Sequence, residues 1–244
     1  MIDGNQHHAH VAHMVGALSL VLSLASNVSP QERASDPSRA AFMKAHFSEA
    51  IVMHDAVARG DLPAAHAQAT RLAQHRPAVP FPTGAHVFFG LMTIDAGKVR
   101  SANTVEEAGH AASSLLSRCG ECHRAMHVAS AVAPTPDLRI NGVVGQMLTH
   151  QRATDLLLEG VIGPSESAWD EGVRAFAGLR INPGDMAGAR MTEKARIANA
   201  RASSLAAAAA KAVTPPERAQ AYGRILATCA RCHQEHPGVW GPQR

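Results

Sequence analysis

TVEEAGHAASSLLSRCGECH (residues 104–123) and TPPERAQAYGRILATCARCH (residues 214–233) lie 110 residues apart and end in the same way. Each opens on Thr with Glu three positions later, Thr104/Glu107 and Thr214/Glu217, the pattern of a helix capping box, with Pro215 in the first helical position of the second copy. Each closes on Cys-x-x-Cys-His: Cys119, Cys122 and His123, then Cys229, Cys232 and His233. On a helix, positions i, i+3 and i+4 fall on one face, so the two thiols and the imidazole of each copy point at one object. These four are all the cysteines of the chain, which leaves none for a disulfide.

Cys-x-x-Cys-His is the signature of covalent c-type haem attachment, in which the thiols bond the porphyrin edge and the imidazole ligates iron. Two motifs predict two covalently attached c-type haems. Zinc and thiol redox chemistry also use Cys-x-x-Cys. A zinc ribbon separates its pairs by roughly 15–20 residues, against 110 here, and a redox pair would accompany a βαβ unit, of which there is no sign.

The composition agrees with helices around a large flat group. Of the 244 residues 46% are hydrophobic but only 4% aromatic, and alanine is abundant. The net charge of +3 comes without a Lys/Arg run or a basic stripe, which argues against a nucleic-acid partner.

Working outward, Arg39 to about Arg59 reads as a helix, with Met43, His46, Phe47, Ala50, Met53, His54 and Val57 at helical spacing. Asp61 caps a second helix, 62–75, and Ala85–Arg100 forms a third before the Thr104 cap opens the fourth. The pattern restarts after Pro134-Thr135-Pro136. A helix over Leu138–Glu159 is ended by Gly160 and Gly163-Pro164, one over 165–180 follows, Asn182-Pro183-Gly184 turns the chain, and an Ala-rich segment capped by Asp185 runs to about Val213. Met43-x-x-His46 recurs as Met147-x-x-His150 at an offset of 104, so the chain reads as all-α, two tandem four-helix bundles over 39–130 and 138–236, each with its haem near the end of its last helix. The apolar run Val11–Leu24 has the length of a signal-peptide core, so residues 1–25 are expected to be a signal peptide, 26–38 a linker and 237–244 a tail; a retained anchoring helix is the alternative. Export, with a periplasmic location, follows from that reading.

A four-helix unit with Cys-x-x-Cys-His closing its last helix resembles the class II cytochromes c, the cytochrome c′ group. Met-Lys-Ala-His-Phe at 43–47 and the segment from Ala206 to His233 carry the likeness most strongly. The resemblance implies that His123 and His233 are proximal ligands and that the first helix of each unit faces the distal side of the haem. There each unit offers both Met and His. A buried unpartnered imidazole is costly, about 1–3 kcal/mol, and its recurrence favours His46 and His150 as distal ligands, with Met43 and Met147 as the alternatives. Family members pair through their first helices, which implies a homodimer, a contact that packing of the two units on each other would replace.

The expected function is electron transfer between redox protein partners, a membrane-associated redox complex among them, through two low-spin haems. A cytochrome c′-like gas-binding or sensing protein with an open distal site, for nitric oxide or carbon monoxide, is the alternative, and a dihaem peroxidase a third. No Ser-His-Asp set, carboxylate pair or phosphate loop stands out, so no catalytic residue is named. Among the other histidines, His54 aligns with Leu158 and His110 with Gln220, while His127 and His236, near the motif ends, are expected to face solvent.

Overall fold

The computed structural model describes residues 37–78, 80–128, 132, 134–136, 140–179 and 193–235. These form eight helices and no strand: α1 (Pro37–Ala58), α2 (Leu62–Gln74), α3 (Ala85–Arg100), α4 (Val105–Met126), α5 (Gly142–Ile162), α6 (Glu166–Gly178), α7 (Glu193–Ala209) and α8 (Pro215–Glu235). The expected signal peptide, most of the 26–38 linker, the Asn182-Pro183-Gly184 turn, Asp185, His236 and the 237–244 tail lie outside the described residues.

Local chemistry sets the helix starts. Asp61 accepts from Ala64 N at 3.0 Å to open α2, and Ser165 accepts from Ala168 N at 3.2 Å to open α6. Both capping boxes form. Thr104 Oγ1 accepts from Glu107 N at 3.1 Å while Glu107 accepts from Asn103 N at 2.7 Å, and Thr214 N donates to Glu217 at 2.9 Å. Several boundaries differ from the expectation: α5 begins at Gly142, behind Asn141, and not at Leu138, α7 ends at Ala209 and not near Val213, and two further differences have a visible cause. Pro37 and Ser38 belong to the first turn of α1, not to the linker, as suits a proline whose missing N–H is no loss there. Of the two glycines expected to stop α5, Gly163 caps it and Gly160 does not, the helix continuing to Ile162. A Cβ at Gly160 would stand 2.7 Å from Trp169 Cβ, so this glycine serves the close approach of α6.

Consecutive helices pack on one another within α1–α4 and within α5–α8, and each set closes by contact of its first helix with its last. Short connections such as 59–61 and 163–165 reverse the chain between neighbours. The two sets meet through α1 with α8, α4 with α5, and most extensively α4 with α8, the two helices that end in Cys-x-x-Cys-His. Small residues permit that crossing: a Cβ on Gly109 would lie 2.9 Å from Ala227 N, and Ser113 Oγ donates to Ala219 O at 2.5 Å. Glu106 and Arg231 pair across it at 2.6 Å.

The core runs through all these contacts without a break, and its largest fully buried side chains are Trp169, Tyr222 and Phe176. Arg218 of α8 is buried beneath Glu166, its guanidinium 5.4 Å from the Trp169 ring centroid. His54, expected to be without a counterpart in the repeat, is fully buried where α1 meets α8, its Nε2 2.7 Å from the Tyr222 hydroxyl and its Nδ1 3.1 Å from Asp55.

Candidate functional site

The last turns of α4 bring Cys119, Cys122 and His123 to one wall of a cavity of ≈ 350 Å³. That volume is within the range of small-molecule and cofactor sites, about 300–1,000 Å³. The opposite walls are Met43 and Arg39 of α1, Phe81, and Phe88, Phe89 and Met92 of α3, with Met126 beyond the motif. The wall behind the cysteines is braced by charge. Asp95, buried on α3, accepts from Lys98 at 2.6 Å and from Arg118 Nε at 3.0 Å, while Arg118 also holds Glu121 at 2.8 Å. This network pins α3 to the two residues that precede Cys119 and Cys122.

The thiols are not ionised. Burial, with a smaller contribution from the neighbouring thiol, pushes Cys119 and Cys229 up to about 12, and burial pushes Cys122 up to about 11. A thiol–disulfide catalyst needs the opposite shift. Among the described residues, no three or more His, Cys, Asp or Glu side chains are gathered to hold a metal ion, and the two Cys pairs do not form one four-ligand site.

Each motif histidine bonds a backbone carbonyl through Nδ1. His123 Nδ1 lies 3.0 Å from the carbonyl oxygen of Ile162, and His233 Nδ1 lies 2.6 Å from that of Ala58. A carbonyl only accepts, so Nδ1 carries the proton and donates, leaving Nε2 of both rings as the lone-pair nitrogen. Burial lowers the pKa of both rings against the opposing pull of these bonds, which keeps them neutral, the form that ligates a metal.

The structure separates Met43 from His46. Residues three apart on a helix point about 60° apart around its axis, and it is Met43 that lines the cavity with His123. His46, 3% exposed, turns toward the end of α2, its Nδ1 3.3 Å from His75 Nδ1, stacked on Phe42 and edge-on to Phe89. Its Nε2 is buried with no partner. In the second half His150 packs against Phe176, and its Nε2 is likewise buried and unpartnered. Burial first, and then electrostatic repulsion from His233, push His150 down to about 4. Met147 is half-buried on the same helix, and His127 is exposed as expected.

No protein-family model, curated protein or solved structure matches the chain.

The donor set suits a haem better than a bare ion. A macrocycle supplies four of iron's ligands itself and asks the protein for only one or two, and at the first motif a single imidazole stands beside paired thiols at an apolar cavity. The residues sequence reasoning missed are Ala58 and Ile162, which act through backbone carbonyls. The only available signal was that both end a first helix at the 104-residue offset of the repeat.

A pH dependence follows for the haem-free chain. His46 falls from 6.5 to about 4 on folding, through burial and then His75, so between those values the unfolded chain binds the extra proton. The stabilisation is complete above pH 6.5 and is lost as pH drops toward 4, about 3 kcal/mol for this group. The urea midpoint of haem-free protein is expected to decline steadily across that window, and His46→Phe to make the decline shallower, the share due to His150 remaining. A flat wild-type profile would show that His46 is solvated.

Proposed function

We propose that the chain is an exported dihaem c-type cytochrome of tandem four-helix form, an electron carrier and not a catalyst. Cys119, Cys122 and His123 hold one haem, and Cys229, Cys232 and His233 the other. The observation that carries this reading is the arrangement at the first motif: two protonated thiols and a neutral imidazole with its Nδ1 already bonded, all on one apolar cavity opposite a methionine.

When bound, each haem supplies a one-electron ferric/ferrous couple. The protein's part is to keep that change small. Phe81, Phe89 and Met92 exclude water from the first site, and Arg39 brings to its wall the charge that a propionate carboxylate requires. With haem bound, Met43 would supply the distal thioether there, and His150, whose Nε2 is buried without a partner and whose ring is coupled electrostatically to His233, would supply the distal imidazole at the second. A thioether at one site and an imidazole at the other would give the two haems different potentials, the methionine-bound one higher. Electrons pass to and from docked redox proteins by outer-sphere transfer, so no substrate bond changes. Among the described residues no helix is long and apolar enough to cross a membrane.

Absorption spectra of oxidised and reduced protein, with and without carbon monoxide, test the reading. Two low-spin haems unaffected by the gas are expected, whereas wild-type protein that binds carbon monoxide in either half would favour the gas-binding alternative. Met43→Ala and His150→Ala should each convert one haem, and a different one, to a high-spin form open to carbon monoxide. If neither does, the distal roles pass to His46 and Met147.

A further inference from the structure

Each motif histidine is held by the other half of the chain. The acceptor for His123 Nδ1, the Ile162 carbonyl, is the last residue of α5, and the acceptor for His233 Nδ1, the Ala58 carbonyl, is the last residue of α1. Ala58 and Ile162 are 104 residues apart, the offset that relates His46 to His150, while His123 and His233 are 110 apart, the offset of the capping boxes. The two bonds are therefore one contact made twice, in opposite directions across the α1–α8 and α4–α5 junctions. Duplication at equivalent positions is hard to attribute to packing accident.

The acceptors are chemically well chosen. The last carbonyls of a helix have no intrahelical donor and carry the negative end of its dipole, which makes them stronger acceptors than mid-helix carbonyls. Backbones close tightly around both bonds. A Cβ on Gly120 would stand 2.1 Å from Val161 O, and one on Gly60, which has φ +73°, would stand 2.6 Å from Ala230 O. Gly60 thus seats the end of α1 against the turn of α8 that carries His233.

We propose, resting on the haem reading above, that Ala58 and Ile162 are reciprocal positioning residues: the carbonyl ending the first helix of each half orients and polarises the ligand histidine of the other, so neither haem site is complete within its own half. Donation from Nδ1 gives the imidazole more anionic character and makes it a stronger ligand to oxidised iron, which lowers the potential. The two halves are then one redox unit whose ligand fields depend on how they are docked.

Gly60→Ala is the discriminating variant, because residue 60 belongs to the first half and acts on the second. Its Cβ pushes Ala230 and the end of α1 apart. The haem on Cys229 and Cys232 should show a higher midpoint potential. The expected change is about tenfold in its reduced-to-oxidised ratio at fixed potential, about 59 mV for one electron. The haem on Cys119 and Cys122 should keep its values. A change at that haem instead, or at neither, overturns the proposal. Should the variant fail to fold, nuclear magnetic resonance of wild-type protein with ¹⁵N-labelled histidine decides. Nδ1 protons of His123 and His233, slow to exchange and close to Ile162 and Ala58, support the inference, and rapid exchange of both overturns it. Wild-type protein without covalently attached haem would sink the haem reading alone, since the resonance test reads the two bonds in the haem-free chain as well.

Discussion

Replacing Cys119 and Cys122 together by serine is expected to yield a protein that retains one haem through denaturation where the wild type retains two, with the survivor on Cys229 and Cys232. Covalent attachment at each motif needs its own pair of thiols, and no other cysteine exists to substitute for a missing one. The variant should still fold. Cys119 is buried, but Ser is nearly isosteric, and the Asp95–Arg118–Glu121 brace that fixes this part of α4 does not involve either thiol. Mass spectrometry of the denatured chain, together with its visible spectrum, gives the count. The reciprocal replacement of Cys229 and Cys232 should leave the other haem. If wild-type protein loses all its haem on denaturation, attachment is not covalent and the reading of both motifs fails.

Tyr222→Ala should produce the largest loss of stability of any alanine substitution in α8. Tyr222 is the only tyrosine of the chain and is wholly buried, with its ring parallel to His54 at a centroid distance of 6.0 Å and its hydroxyl 2.7 Å from His54 Nε2. Truncating a buried aromatic side chain costs about 3–5 kcal/mol, and the orphaned imidazole nitrogen adds about 1–3 kcal/mol. Against typical stabilities of about 5–15 kcal/mol, that is a large fraction of the total. Tyr222→Phe keeps the volume and removes only the hydrogen bond, so it should cost the smaller part. Urea unfolding of the two variants separates the contributions, and equal losses would mean that the hydroxyl, not the ring, carries the effect. Because this pair joins α1 to α8, Tyr222→Ala should also loosen the contact between Ala58 and His233.

Much of the helical layout was legible from residue order. Thr104 with Glu107, Thr214 with Glu217, and Asp61 are capping signals that act within one turn, and all of them cap the helices they were expected to cap. Apolar residues at helical spacing located α1 to α4 and α8 to within about two residues for the same reason, since periodicity is a property of a single helix. Gly160 misled because its role lies outside its own helix. It is small to admit Trp169, and nothing in residues 155–165 says which neighbour will press on it.

The site divides along the same line. Two thiols and an imidazole at i, i+3 and i+4 share a face wherever the helix sits, so the composition of each motif's attachment face could be read from six residues, Cys119, Cys122, His123, Cys229, Cys232 and His233. Which of Met43 and His46 meets the cavity could not, because they differ by a rotation of α1 that is set by how α1 packs on α2, α4 and α8. Nor could the partners of the motif histidines. Ala58 and Ile162 act through carbonyls that every residue possesses, and they reach His233 and His123 across 175 and 39 residues of chain because α4 and α8 cross closely enough to bring each half's first helix to the other's last. Short-range geometry writes the motif into the order of residues, whereas long-range packing chooses its surroundings.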